Sequence, residues 1–577
     1  MNLYLREAET LRRILDELAD KGAVKGDVPP AEKILVEAPR DEKFGDFSSS
    51  LALVHATAMG VKPPKLAAQV AEKLAEMEHV QSATVAGPGF INWKLTPTAW
   101  QETLRELLAH SITFPNIGGG RRVNVEFVSA NPTGPLTMGH ARGAVIGDAL
   151  ATLFSRFGWQ VVREYYTNDA GGQIEILART VELRMKEAQG TDIGEIPAGL
   201  YPGEYLKPIG ERLTAQAESA GKAPSGDEIA RFAVAEMMSL IRDDLNAVGI
   251  RHDRFSSDFK LREDGAVEEA VKQLEADGHL YRGTLPKPKG EDAADWEPRE
   301  QLLFRATEFG DTDDRPLQRS NGEWTYFAGD IAYHYDKHKR TEGRLIDVWG
   351  ADHGGYNQRI ASALKAVTRG KGELDIVVCQ IVRLFRGKDE IRMSKRAGEF
   401  VSLRQVVDEV GADALRFTLL TRKPSAPLDF DLNAAVEKSL ENPLFYVQYA
   451  HARTHSVLRL AREQFPELRD ENFFAQADLT PLVAPAELKT IAALAAAPRV
   501  FQAALEALEP HRITLWLRDL AGEFHALWSQ GREETQLRFI VADDLRLTAA
   551  RLALVLAVQS GLRVGLEVIG VRPLDEL

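Results

Sequence analysis

The 577-residue chain predicts a multidomain α/β protein, and three observations carry that expectation. A strand–loop–helix unit lies at Val123–Phe154, the same rhythm repeats downstream, and the sequence from Asn433 onward is helical in pattern. The length itself exceeds what one hydrophobic core serves, so three or more domains are expected. The central unit reads VNVEFVSANPTGPLTMGHARGAVIGDALATLF. Val123, Val125 and Phe127 alternate with Asn124 and Glu126, the period of a strand. Pro132, Gly134 and Pro135 then force a turn. After Gly139 the apolar residues Val145, Ile146, Ala149, Leu150, Leu153 and Phe154 fall at helical spacing.

Hydrophobic content of 44% and charged content of 27% describe an ordinary globular protein. The lone Cys379 excludes an internal disulfide and a cysteine-rich zinc site, which suits a cytoplasmic protein. The first 22 residues carry charges throughout and lack the apolar centre of a signal peptide. No uncharged apolar run reaches membrane-spanning length, so no membrane partner is expected. A net charge of −14 weighs against nucleic acid as a partner, but local basic patches decide that question. Residues 441–577 hold 13 Arg and 1 Lys against 18 acids, so an RNA-binding face there requires the arginines to segregate.

In chain order, residues 1–22 form an amphipathic helix with Leu3, Leu11, Ile14, Leu15 and Leu18 on its apolar side. A helix is expected from Ser50 to about Met59 and another over 64–77. Val80–Val85 and Gly89–Leu95 read as strands around a Gly-Pro-Gly turn. These elements make a compact α/β domain over 1–112 with no candidate chemistry.

Ile117–Arg122 links that domain to the core, expected over 113–432. Gln160–Tyr166 is its second strand, followed by the loop Thr167–Gln173 and a long helix. A Pro/Gly-rich stretch over 190–227 breaks the rhythm, and an insertion is expected over about 190–300, with an exposed excursion at 283–300. Leu345–Gly350 is a buried-type strand. Asp352 and His353 lack a second histidine–carboxylate set nearby, so no protein-ligated metal is expected. An all-α domain over 433–577 follows, and its first long helix carries Tyr446, Tyr449 and Arg453.

The central loop offers backbone N–H groups and a helix N-terminus, a setting that suits phosphates. His140 lies one helical turn from Thr137 and can donate to an anion there. About 250 residues on, Arg392-Met393-Ser394-Lys395 sits in a Gly-flanked basic segment. In this order, Met138-Gly139-His140 and Arg392–Lys395 resemble the two signatures of class I aminoacyl-tRNA synthetases. Glu126, Asn131, Tyr326, Asp330 and Gln358 match the positions that hold the amino acid in arginyl-tRNA synthetases. The FGDFSSSLAL and GPGFINWKL segments and the helical C-terminal region are similar to that family too, so the resemblance spans the whole chain.

The resemblance implies a class I, Rossmann-like catalytic core with insertions. It implies an N-terminal domain that touches tRNA and a helical domain that binds the anticodon. The implied reaction is ligation of L-arginine to tRNA(Arg), driven by ATP with Mg2+, in a monomer. His140, Lys395 and Thr137 are the implied catalytic residues. Pro135, Gly139, His140, Met393, Ser394 and Lys395 would hold ATP. A permanently charged guanidinium in a buried site calls for carboxylates in forked geometry, which Glu126 and Asp330 supply. Thr137 departs from the family pattern, which has a histidine there; Arg392 replaces a lysine and keeps its charge. The alternatives are another class I synthetase, which should lack the matched carboxylates, or a non-catalytic tRNA-binding relative.

Overall fold

The computed structural model describes residues 2–285, 299–319, 321–351, 355–391, 401–469 and 472–577. The second signature, Arg392–Lys395, lies outside them, as do Asp352 and His353. At the centre is a five-stranded parallel sheet. Its strands are β1 (Arg122–Phe127), β2 (Gln160–Thr167), β3 (Arg254–Ser257), β4 (Arg344–Gly350) and β5 (Glu373–Cys379). They lie in the order β5-β4-β1-β2-β3. The chain therefore winds outward from β1 in one direction, then returns to place β4 on its other side. That reversal opens a crevice at the carboxyl ends of β1 and β4, the usual ligand position in such sheets.

Four helices bear on the crevice: α1 (Met138–Arg156), α2 (Gly172–Ala188), α3 (Tyr326–Thr341) and α4 (Asn357–Val367). Helix α1 packs so closely on β1 that a Cβ at Gly147 would lie 2.3 Å from Phe127 Cγ. Only glycine allows that approach.

The stretch expected as one insertion over about 190–300 is not continuous. Arg254–Ser257, inside it, is the sheet's edge strand β3, paired in parallel with β2. Before it, the Pro/Gly-rich region contains a helix at Lys207–Ala220 that packs with α2 and with Gly226–Ala247. Leu177, Val181, Leu213 and Met237 give this group a core of its own. The prolines and glycines punctuate that helix rather than abolish it. Part of the expected excursion, 286–298, lies outside the described residues.

The N-terminal region forms a four-stranded antiparallel sheet faced by Leu3–Asp20. The helix expected over Ser50–Met59 is shorter, Leu51–His55, and Pro97–His110 adds a helix that periodicity had not suggested. That helix docks on the C-terminal domain, where Gln101 Nε2 donates to Leu482 O (3.0 Å) and an Arg105 Nη donates to Ala477 O (2.8 Å). From Leu432 on, the described chain is helical. Its last long helix, Leu545–Val568, is apolar and long enough to cross a membrane by length and composition, but 72% of its most apolar window is buried within the protein. Pro443–Gln464, Pro485–Ala495 and His511–Glu533 cover it.

Arg416 ties these parts together. Its buried guanidinium meets Asp148 of α1 at 2.6 Å and donates to the carbonyls of Val248 and Ile569, both at 3.0 Å. A planar fork with several donors suits three partners from three chain regions.

Candidate active site

The turn after β1 sets the site's geometry. Val128 and Ser129 adopt positive φ (73° and 39°), a costly conformation for a β-branched residue. The chain turns sharply there, and Ser129 Oγ donates back to Glu126 (2.8 Å). Eight residues after Ser129, Thr137 caps α1 in extended conformation. Its backbone N–H donates to His140 Nδ1 (3.1 Å), which places the imidazole N–H on Nε2. The Thr137 hydroxyl also lies 3.2 Å from Nδ1. The Thr137 backbone N–H thus sets the tautomer of His140, and both contacts hold the orientation of its ring. Gly139 is exposed in the first turn of α1, and Pro135 is half-buried in the loop before it.

The flank of the second signature reaches the same place. Ser402 bridges Thr137, and Leu403 N donates to Leu136 O (2.7 Å). The described chain that follows residue 400 is therefore fastened to the first signature's loop. The positions of Met393, Ser394 and Lys395 themselves lie outside the described residues.

Helix α3 covers the carboxyl ends of β1 and β4 with a polar stripe. Asp330, Tyr333, His334 and Lys337 recur at the spacing of one helical face. Lys337 is fully buried, and its Nζ lies 2.6 Å from Glu126 Oε2 on β1 and 2.6 Å from Asp347 Oδ1 on β4. Tyr333 OH donates to Glu126 (2.7 Å), and His334 Nε2 lies 2.8 Å from Asp347. Burial works against the Lys337 charge, but Asp347 and Glu126 hold its pKa above the ordinary value. Burial likewise pushes the Asp347 carboxyl up, and Lys337 and His334 outweigh it, so its pKa is lowered.

Asp330 differs from these two carboxylates. Its side chain accepts a hydrogen bond from Tyr356 OH and is paired with no cation among the described residues. Burial pushes its pKa up to about 6, against the opposing effect of the Tyr356 hydrogen bond. An ionised carboxylate that accepts one phenol hydrogen bond, with the Asp258 and Glu126 carboxylates nearby and the His334 ring opposing them, is a ready acceptor for an incoming cation.

The remaining expected residues surround this point less tightly. Asn131 Nδ2 donates to Gln173 Oε1 (2.8 Å) at the start of α2. Tyr326 begins α3 and is 62% exposed, so its ring is open to solvent. Gln358, in the first turn of α4, donates to Gly310 O. Sequence reasoning missed Tyr333, His334, Lys337, Asp347 and Tyr356. Two signals were available: the D-x-x-Y-H-x-x-K stripe at helical spacing, and an acid, Asp347, inside the apolar strand Leu345–Val348.

The helical domain presents a second polar-aromatic face. Arg453 lies over the rings of Tyr449 (4.3 Å) and Trp528 (4.8 Å), and Tyr446 and Tyr449 are half-buried. The tyrosines thus stand at the border of the core, with Arg453 stacked on Tyr449 and Trp528.

Comparison with known proteins finds relatives along the whole chain. Residues 8–95 match the family described as arginyl tRNA synthetase N terminal domain, and residues 103–283 match tRNA synthetases class I (R), catalytic domain. Residues 447–577 match the DALR anticodon binding domain. Proteins named arginine–tRNA ligase from Parvibaculum lavamentivorans and Xanthobacter autotrophicus are 48% and 49% identical to this chain, each over 100% of both sequences. The arginyl-tRNA synthetase structure of Thermus thermophilus shares the fold at a TM-score of 0.75, with 22% identity over 100% of both chains. That of Plasmodium falciparum shares it at 0.73, with 14% identity over 99% of both. With full-length relatives at this identity, the chain belongs to the arginine–tRNA ligase family of class I aminoacyl-tRNA synthetases.

Proposed function

We propose that the protein ligates L-arginine to tRNA(Arg) in two steps. The arginine carboxylate attacks the α-phosphate of ATP, giving arginyl-adenylate and pyrophosphate. The terminal ribose hydroxyl of the tRNA then takes the arginyl group. The observation that carries the choice of arginine is the charge arrangement at the crevice. Glu126 and Asp347 already share the ammonium of Lys337, while Asp330 accepts a hydrogen bond from Tyr356 and is in no ion pair among the described residues. A guanidinium beside Asp330 supplies the missing cation in bidentate geometry. Glu126, Asn131, Tyr326 and Gln358 complete the arginine pocket.

ATP binds at the N-terminus of α1, against Pro135, Gly139 and His140, and Met393, Ser394 and Lys395 of the second signature also hold it. The His140 Nε2–H donates to phosphate oxygens, and Lys395 neutralises charge as pyrophosphate departs. Such a reaction needs positioned donors and charges more than covalent help from the protein. Mg2+ arrives with the nucleotide. Residues 1–112 contact the tRNA, and the Tyr446–Tyr449–Arg453–Trp528 face of 433–577 stacks on unpaired anticodon bases. The protein works as a cytoplasmic monomer. Arginine-dependent ATP–pyrophosphate exchange, run against a panel of amino acids with and without tRNA, tests the reading. Exchange driven best by another amino acid would replace arginine, and none under either condition would point to a non-catalytic tRNA-binding protein.

A further inference from the structure

Far from the crevice, the helix Pro443–Gln464 carries His451 and His455 four residues apart, on one helical face. The chain's last residues return across that face. His455 Nε2 lies 3.1 Å from Asp575 Oδ1, and His451 Nδ1 lies 2.8 Å from the Leu574 carbonyl. A carbonyl only accepts, so Nδ1 carries the His451 proton and Nε2 carries a lone pair. That Nε2 is buried without a hydrogen-bond partner, in a residue only 1% exposed. A ring nitrogen of this kind is costly to bury unless something claims its lone pair.

One ligand atom from each of His451, His455 and Asp575 lies within 4.8 Å of the others. We propose that these three residues bind a dication of the zinc class, which fastens the C-terminal segment to the domain's first long helix. Two imidazoles and one carboxylate, with further positions left for water, suit Zn2+, Co2+ or Ni2+ better than Mg2+ or Ca2+. The Leu574 carbonyl holds the His451 ring as a metal-ligating imidazole is commonly held, through its other nitrogen. His455 is half-buried and Asp575 exposed, so an ion can enter from solvent. Arg453, between the two histidines, lies over the rings of Tyr449 and Trp528; Arg459 pairs with Glu576 at 3.1 Å, and Arg563 also acts on His451. The other histidine–carboxylate group among the described residues, Glu126–His334–Asp347, already encloses the Lys337 ammonium. Among the described residues, no lysine or arginine is ion-paired with Asp575 of the His451 group, which pairs with His455.

The test uses the full-length protein, stripped with chelator and titrated with ZnCl2 by calorimetry, and separately with CoCl2 followed by visible absorption. His455→Ala and Asp575→Asn change side chains open to solvent and remote from the crevice. The wild type should bind one equivalent of Zn2+, raise its melting temperature on binding, and show a Co2+ ligand-field band. Each variant should lose that equivalent or weaken it about tenfold or more, while keeping its metal-free melting temperature. No stoichiometric binding by the wild type, or binding that both variants retain, would overturn the proposal.

Discussion

Lys337 Nζ lies 2.6 Å from the Glu126 carboxylate, an ion pair with the lysine fully buried at the carboxyl end of the central strand. Asp347 closes the other side of the same ammonium at 2.6 Å. Removing one partner of a buried pair leaves the others uncompensated, at a cost of about 3–5 kcal/mol. Lys337→Met keeps the length of the side chain and deletes the charge. Urea unfolding should therefore show a loss of that size. Unchanged stability would mean that the carboxylates are neutralised some other way.

Asp330 gives the site a pH dependence of known sign. Its pKa of about 6 belongs to the protein without a guanidinium beside it. A bound guanidinium favours the ionised form, so the complex holds fewer protons than the free protein below pH 6. Arginine affinity should then rise with pH up to about 6, by at most roughly tenfold per unit, and level off above it. Titrations by calorimetry from pH 5 to 8 check this. Affinity that is flat or strengthens toward acid would remove Asp330 from contact with the ligand.

Deleting residues 1–110 should weaken tRNA charging, and the packing adds a second expectation. Gln101 and Arg105 bond the carbonyls of Leu482 and Ala477, and Tyr4 lies under Arg499. The truncated protein should thus lose stability in its helical domain as well as tRNA affinity. Thermal melts followed by circular dichroism read the first effect and filter binding of tRNA the second. A melt like that of the full chain, with charging intact, would show both the docking and the RNA contact to be dispensable.

Lys395→Ala should slow adenylate formation by about 3–4 kcal/mol, the scale of one lost transition-state contact, and leave arginine binding almost unchanged. Single-turnover rates and binding titrations separate the two. Equal losses in rate and affinity would assign Lys395 to ground-state binding.

Much of this was legible in the sequence because local chemistry dictates it. The change of period between Phe127 and Val145 marked the strand, turn and helix that build the crevice. What stayed hidden depends on chain regions far apart. Glu126 and Lys337 are 211 residues apart, and nothing local in either segment says that they meet. Strand β3 was absorbed into the expected insertion because four residues, RFSS, are too short for periodicity to register. Thr137 departs from the family pattern in sequence, and only the fold shows its backbone N–H donating to His140 Nδ1.

The central claim is that Asp330 receives the substrate guanidinium. Asp330→Asn keeps the size and one acceptor but removes the charge, leaving a buried guanidinium under-compensated by about 3–5 kcal/mol. Citrulline, a neutral isostere of arginine, has no charge to lose a partner for. Calorimetry of both ligands on the folded variant decides the matter. The expected result is arginine binding weakened by hundreds-fold or more, a much smaller change for citrulline, and ATP affinity nearly unaltered; undiminished arginine affinity would contradict the pocket assignment.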